Sequence, residues 1–116
     1  MHPLAHDLFE MARTGSADAL LAHVDAGVPV NLTDGKGNTL LTLAAYHGHQ
    51  LLVAQLAERG ADVDRLNDRG QSPLTGAVHQ RRDAVVRTLL GLGADPDHGT
   101  PSARATAEAV GRPLAT

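Results

Sequence analysis

Residues 56–62, Leu56-Ala57-Glu58-Arg59-Gly60-Ala61-Asp62, return as Leu89-Leu90-Gly91-Leu92-Gly93-Ala94-Asp95, 33 residues further on. The same interval separates Gly27 from Gly60, Gly15 from Gly48, and Thr39-Leu40-Leu41 from Ser72-Pro73-Leu74. One period shared by so many positions marks a chain built from a repeated supersecondary unit, and 116 residues hold about 3.5 such units.

One unit reads as two short helices and a turn. In residues 67–98, Ser72 precedes Pro73 as an N-cap precedes a first helical residue. The hydroxyl accepts from an orphan N–H, and proline has no N–H to lose. The first helix then runs to about Gln80 and the second from about Arg82 to Leu92, with Val85, Val86, Leu89 and Leu90 on one stripe at helical spacing. Gly93 stops it by supplying the left-handed residue that follows a last turn. Residues 61–71, rich in Asp, Asn and Gly, form a long turn or finger. The unit before gives helices over 39–47 and 49–59, broken at Gly48. The first unit gives helices over about 5–13 and 16–26, with Ser16 as another N-cap. After Gly93 the finger shortens: Ser72 lies 11 residues past Ala61, but Thr100 only 6 past Ala94. Thr100-Pro101 then begins a last helix over about 101–110, on which Ala105, Ala109 and Val110 are spaced to cover the apolar edge of the preceding pair. Helices this short are marginal alone. Each must bury a face against its neighbours, as in a solenoid.

Composition agrees with small, closely packed helices. Apolar residues make up 42% of the chain but aromatics only 2%, so Leu, Val and Ala must build the core around Phe9 and Tyr46. The net charge of −3 leaves no basic face for nucleic acid. Without cysteine there is no disulfide framework, thiolate metal site or thiol nucleophile. The start, Met1-His2-Pro3-Leu4-Ala5-His6-Asp7, has neither the basic nor the apolar region of a secretion signal, and the apolar run Leu40–Ala45 is too short to span a bilayer. The expectation is a soluble, monomeric, cytoplasmic domain.

Thr39-Leu40-Leu41-Thr42-Leu43-Ala44-Ala45-Tyr46-His47-Gly48-His49 resembles the ankyrin-repeat signature, in which a Thr-Pro-Leu-His start leads to Ala-Ala and then Gly-His. Leu56 to Asp64 is similar to that family's Leu-Leu-x-x-Gly-Ala-Asp-Val-Asn ending, and Ser72-Pro73-Leu74 with Leu89 to Asp95 is a second copy. The resemblance implies an all-α ankyrin-repeat solenoid of paired antiparallel helices with hairpin-like finger loops. Its about 3.5 repeats divide into an N-terminal capping repeat (1–33), two repeats (34–66 and 67–98) and a C-terminal half-repeat cap (99–116). There are departures. Leu40 replaces the family's proline, and Thr42 and Thr75 replace its histidine, which removes a bond that usually braces the loop. Arg81 occupies the glycine position of Gly15 and Gly48, a cost on the order of 1 kcal/mol if φ there is positive.

The function implied by the resemblance is recognition of a protein partner, without catalysis, cofactor or metal. In ankyrin proteins the finger tips and first-helix ends form a concave face. Here that face would be Thr33, Lys36, Asn38, Tyr46 and His47 in the second unit, and Leu66, Asp68, Arg69, Gln71, His79 and Gln80 in the third, extended by Arg13 and Thr14. Leu66 is an apolar residue in a polar finger, and Tyr46 and Arg69 are of types that favour binding hot spots. A regulator or inhibitor of one protein fits, and nine arginines to one lysine point to a high-GC bacterial source. The other readings are a structural spacer or fragment of a larger array, and a histidine-based metal or haem binder.

The chemical alternatives have little to build on. His47, His49 and His79 sit near successive first-helix ends, but His49 is the family's structural Gly-His position and the others read as exposed helix ends. A calcium loop opening at Asp62 would need an acid where Pro73 stands, and one opening at Asp95 would need it at Thr106, so both acidic clusters read as turn caps. Ser16, Ser72 and Ser102 stand in no nucleophile elbow, and Gly35-Lys36-Gly37 lacks phosphate-loop spacing and resembles a finger turn instead.

Overall fold

The computed structural model describes residues 3–114. Met1, His2, Ala115 and Thr116, which belong to the expected first and last units, lie outside the described residues. Among the described residues there are seven helices: α1 (Pro3–Thr14), α2 (Ala17–Asp25), α3 (Leu40–Tyr46), α4 (Gln50–Glu58), α5 (Pro73–His79), α6 (Asp83–Gly91) and α7 (Ala103–Ala109). Helices α1, α3, α5 and α7 stack in one row and α2, α4 and α6 in a second, giving a slab of 40 × 24 × 20 Å. Isolated bridges, Thr33 with Thr39 and Gly99 with Ser102, close two of the fingers. None of these helices is long and apolar enough to cross a membrane.

The core lies between the rows. Leu40, Leu41, Ala44 and Ala45 of α3 are fully buried, as are Leu74 and Ala77 of α5, with Val53, Leu56 and Leu89 reaching them from the second row. Alanine at the row contacts lets the first helices approach closely, which explains how a core with one buried aromatic, Phe9, can close. The caps are local. Thr39 accepts from Thr42 N–H and Ser72 from Thr75 N–H, each at 3.1 Å. The threonines at 42 and 75 do more than leave a brace out. Each hydroxyl bonds its capping partner at 3.0 Å, and Thr75 Oγ1 also lies 3.4 Å from the Pro101 carbonyl.

The break between the two helices of a unit requires positive φ, which is +79° at Gly15, +84° at Gly48 and 56° at Arg81. Arg81 therefore holds the strained conformation that the sequence made conditional. The next residue fastens units together. His49 Nε2 donates to the Arg13 carbonyl at 2.8 Å, and Arg82 Nε to the Tyr46 carbonyl at 3.2 Å.

Two expectations fail at the edges. Ser16 occupies the N-cap place of α2 but makes no capping bond; its hydroxyl pairs with Thr14 Oγ1 at 3.0 Å. The last helix begins at Ser102, which accepts from Ala105 N–H, while Thr100 stays in the finger and donates its N–H to Gly70 O. That shift rotates α7. Ala103 and Ala107 are fully buried against α5, whereas Ala105, Ala109 and Val110 face solvent.

Candidate functional site: the concave face

The fingers are built by side chains that mimic backbone. Asp34 Oδ1 accepts from the N–H groups of Lys36 (2.8 Å) and Asn38 (3.0 Å), and one period later Asn67 Oδ1 accepts from Arg69 (2.9 Å) and Gln71 (3.1 Å). The two tips are joined: Asp68 N–H donates to Lys36 O at 3.0 Å, and Asn67 Nδ2 to Asn38 Oδ1 at 3.0 Å. The acidic pairs further back are turn caps too, with Asp64 N–H on Asp62 Oδ1 and Asp97 N–H on Asp95 Oδ1. Among the described residues no group of three or more His, Asp or Glu side chains converges as a metal site.

Between these fingers and the first-row helices lies a concave groove of about 610 Å³. Of the residues expected on this face, Lys36, Asn38, Tyr46 and His47 line it from one unit and Asp68, Arg69 and Gln71 from the next. Asn38 lines it with a carboxamide already committed to Asn67. Tyr46 remains 37% exposed, its hydroxyl accepting from Gln80 Nε2 at 2.9 Å and its ring meeting that of His47 edge-on. His47 is half-buried rather than freely exposed. Its pKa lies below the ordinary histidine range, first because burial disfavours the cation and then because Arg13, His49 and Arg82 add positive charge; Glu10 opposes them.

The other expected residues stand apart from the groove. Arg13 pairs with Glu10 on its own helix, drawing the Glu10 carboxyl below the usual range, and Thr14 bonds the Glu10 carbonyl. Thr33 lies in the bridge at a finger base, and His79 is exposed at the end of α5. Leu66 is not the uncovered aliphatic that its polar surroundings implied. It is half-buried, its Cδ2 3.2 Å from where a Cβ on Gly99 would stand, because the shortened finger folds over it.

A sequence profile of ankyrin repeats, in three copies, matches residues 8–100. The chain belongs to the ankyrin repeat family. It is 40% identical over 100 residues to an ankyrin repeat-containing protein of Treponema pallidum, covering 84% of this chain and 34% of that one. It is 36% identical over 63 residues to an ankyrin repeat-containing protein of Schizosaccharomyces pombe, covering 54% and 30%. The chain thus spans about a third of the length of these relatives. The ankyrin repeat domain of human ASB11 superposes with a TM-score of 0.72 at 34% identity, over 77% of this chain and 40% of that one. Ankyrin repeats are in general non-catalytic protein-interaction modules.

In this ankyrin domain six groove residues escaped sequence reasoning, Gly35, Thr42, Leu43, Asn67, Ser72 and Gly76, and two of them, Leu43 and Gly76, shape its apolar floor. They are the same position one period apart. The signal was present in Gly76, an ordinary-φ glycine inside a helix, where glycine is otherwise a cost.

Proposed function

We infer that this chain is a non-catalytic recognition module that holds a protein partner in the groove between its fingers and first-row helices, and so acts as a regulator or inhibitor of that partner. The observation that carries the reading is the groove floor: Tyr46 and Leu43 present apolar surface there while the fold is held by other, fully buried leucines. An aromatic ring kept partly in water and held by a single hydrogen bond gains from being covered. On this reading Lys36, Asn38, Tyr46, His47, Asp68, Arg69 and Gln71 are contact residues, and Arg13, Thr14, Thr33, Leu66, His79 and Gln80 have at most a rim role. The module acts as a monomer in a bacterial cytoplasm, organised in the four units 1–33, 34–66, 67–98 and 99–116.

A photo-crosslinking amino acid placed at Arg69, in the groove, and at Arg87, on exposed α6, tests this in the native host. One discrete adduct from position 69 and none from 87 is expected. An adduct from 87 alone would move the binding face to the second row.

A further inference from the structure

We propose that the groove recognises a peptide segment of the partner that carries one apolar side chain with a carboxylate close beside it. The proposal rests on the concave-face reading above and gives it a chemistry.

The apolar half follows from the repeat itself. Leu43 on α3 and Gly76 on α5 are equivalent positions, and both line the groove. The first carries a side chain; the second carries none. The groove floor is left without a side chain at Gly76, beside the Tyr46 ring, whose Cδ2 stands 3.5 Å from where a Cβ at 76 would be, while Leu43 lines the same groove. The bond from Gln80 Nε2 to the Tyr46 hydroxyl holds that ring as a wall. A partner's leucine, methionine or phenylalanine would restore the side chain that the repeat lacks there.

The acidic half follows from the rim. The groove's charged side chains are two cations, Lys36 and Arg69, against one carboxylate, Asp68, so the groove is net positive on a chain of net charge −3. Neither cation takes part in the four ion pairs found among the described residues. Among the described residues the Arg69 guanidinium bonds only the neutral Gln71 Oε1, at 3.3 Å, and keeps donors for a carboxylate. Both cations sit on finger tips tied to each other by backbone, so their spacing is preset.

The test pans a random dodecapeptide display library on the immobilised full chain, then measures the enriched peptides by fluorescence polarisation. Enrichment of an apolar residue within three positions of Asp or Glu is expected. Changing that acid to its amide should weaken binding at least fivefold. Gly76→Leu should weaken it at least tenfold, and Gly76→Ala, whose Cβ meets only an ordinary contact, at least threefold with an undiminished melting temperature. Enriched peptides without acids, lost in Tyr46→Ala, would overturn the proposed chemistry and leave the concave-face reading standing. Peptides held equally by wild type and Tyr46→Ala would overturn both. No enrichment at all would overturn the proposal.

Discussion

The unit built on α3 and α4 and the unit built on α5 and α6 are two solutions to one frame. Leu41 and Leu74, Ala44 and Ala77, and Leu56 and Leu89 are equivalent pairs, and every member is fully buried. Outside the frame the units part company: Leu43, Tyr46, Gly48 and His49 are replaced one period later by Gly76, His79, Arg81 and Arg82. The first set fixes the stack, and its members are chemically interchangeable. The second set shapes the groove and the seams, and its members are not. Stability and recognition are thereby written on different residues of the same helices.

The largest effects should come from the frame. Leu41→Ala and Leu74→Ala should each cost roughly 2–5 kcal/mol in urea unfolding, because each empties a filled site. If the two costs differ by more than about half, the units are not equivalent as frames.

Next comes the helix break. Gly48→Ala should destabilise by on the order of 1 kcal/mol, since φ is +84° and the new Cβ would stand 3.1 Å from Arg82 Cδ. Arg81→Gly should go the other way and gain up to about 1 kcal/mol, by relieving a non-glycine residue at positive φ. Equal and opposite shifts in thermal melts would show that the same backbone requirement acts in both units. A loss at Arg81→Gly would mean that the arginine contributes more than its strain costs.

Gly76→Ala sharpens the comparison at the groove. It should stabilise the chain by about 0.5–1 kcal/mol, the usual gain for removing glycine from a helix interior. A variant that melts higher while binding its peptide less well would separate the two sets of residues in one substitution.

The smallest effect is a pH dependence. Burial and the neighbouring cations favour neutral His47, so below about pH 6.5 the unfolded chain binds the proton more readily than the folded one. Stability should therefore fall as pH drops from about 7.5 through the ordinary histidine range and on through the lowered pKa, and His47→Gln should flatten that slope. An unchanged slope of melting temperature against pH would remove His47 from the account.

The frame was legible in the sequence because a period leaves its mark on glycines and leucines regardless of partners. Gly60-Ala61-Asp62 and Gly93-Ala94-Asp95 suffice to phase α4 and α6. The last helix was misread because Thr100-Pro101 copies the Ser72-Pro73 start, whereas the true cap is Ser102, set by how the short finger joins Gly70. Leu66 was misjudged for a related reason: its cover comes from Gly99, distant in sequence, and burial by a neighbouring finger leaves no local pattern. Ser16 looked like a cap by residue type alone, and its hydroxyl found Thr14 instead. The groove floor was hidden because period analysis rewards positions that match, and its information lies in the pair that does not, Leu43 and Gly76.

Most of the bonds that join units share a direction; Asn31 Nδ2 on the Gly60 carbonyl and Thr75 Oγ1 on the Pro101 carbonyl run the other way. His49 and Arg82 give hydrogens back to carbonyls of the preceding unit, the Asp68 and Thr100 amides do so at the finger tips, and the Asp62 and Asp95 amides do so to Asn31 and Asp64 side chains. Each unit offers mainly acceptors forward and donors backward, so the stack has a sense, like tiles that overlap one way. A duplicate of residues 67–98 spliced in behind the original would meet acceptors already in place. The same duplicate in reversed orientation would set donor against donor. Such a scaffold is extensible by duplication and closed to inversion.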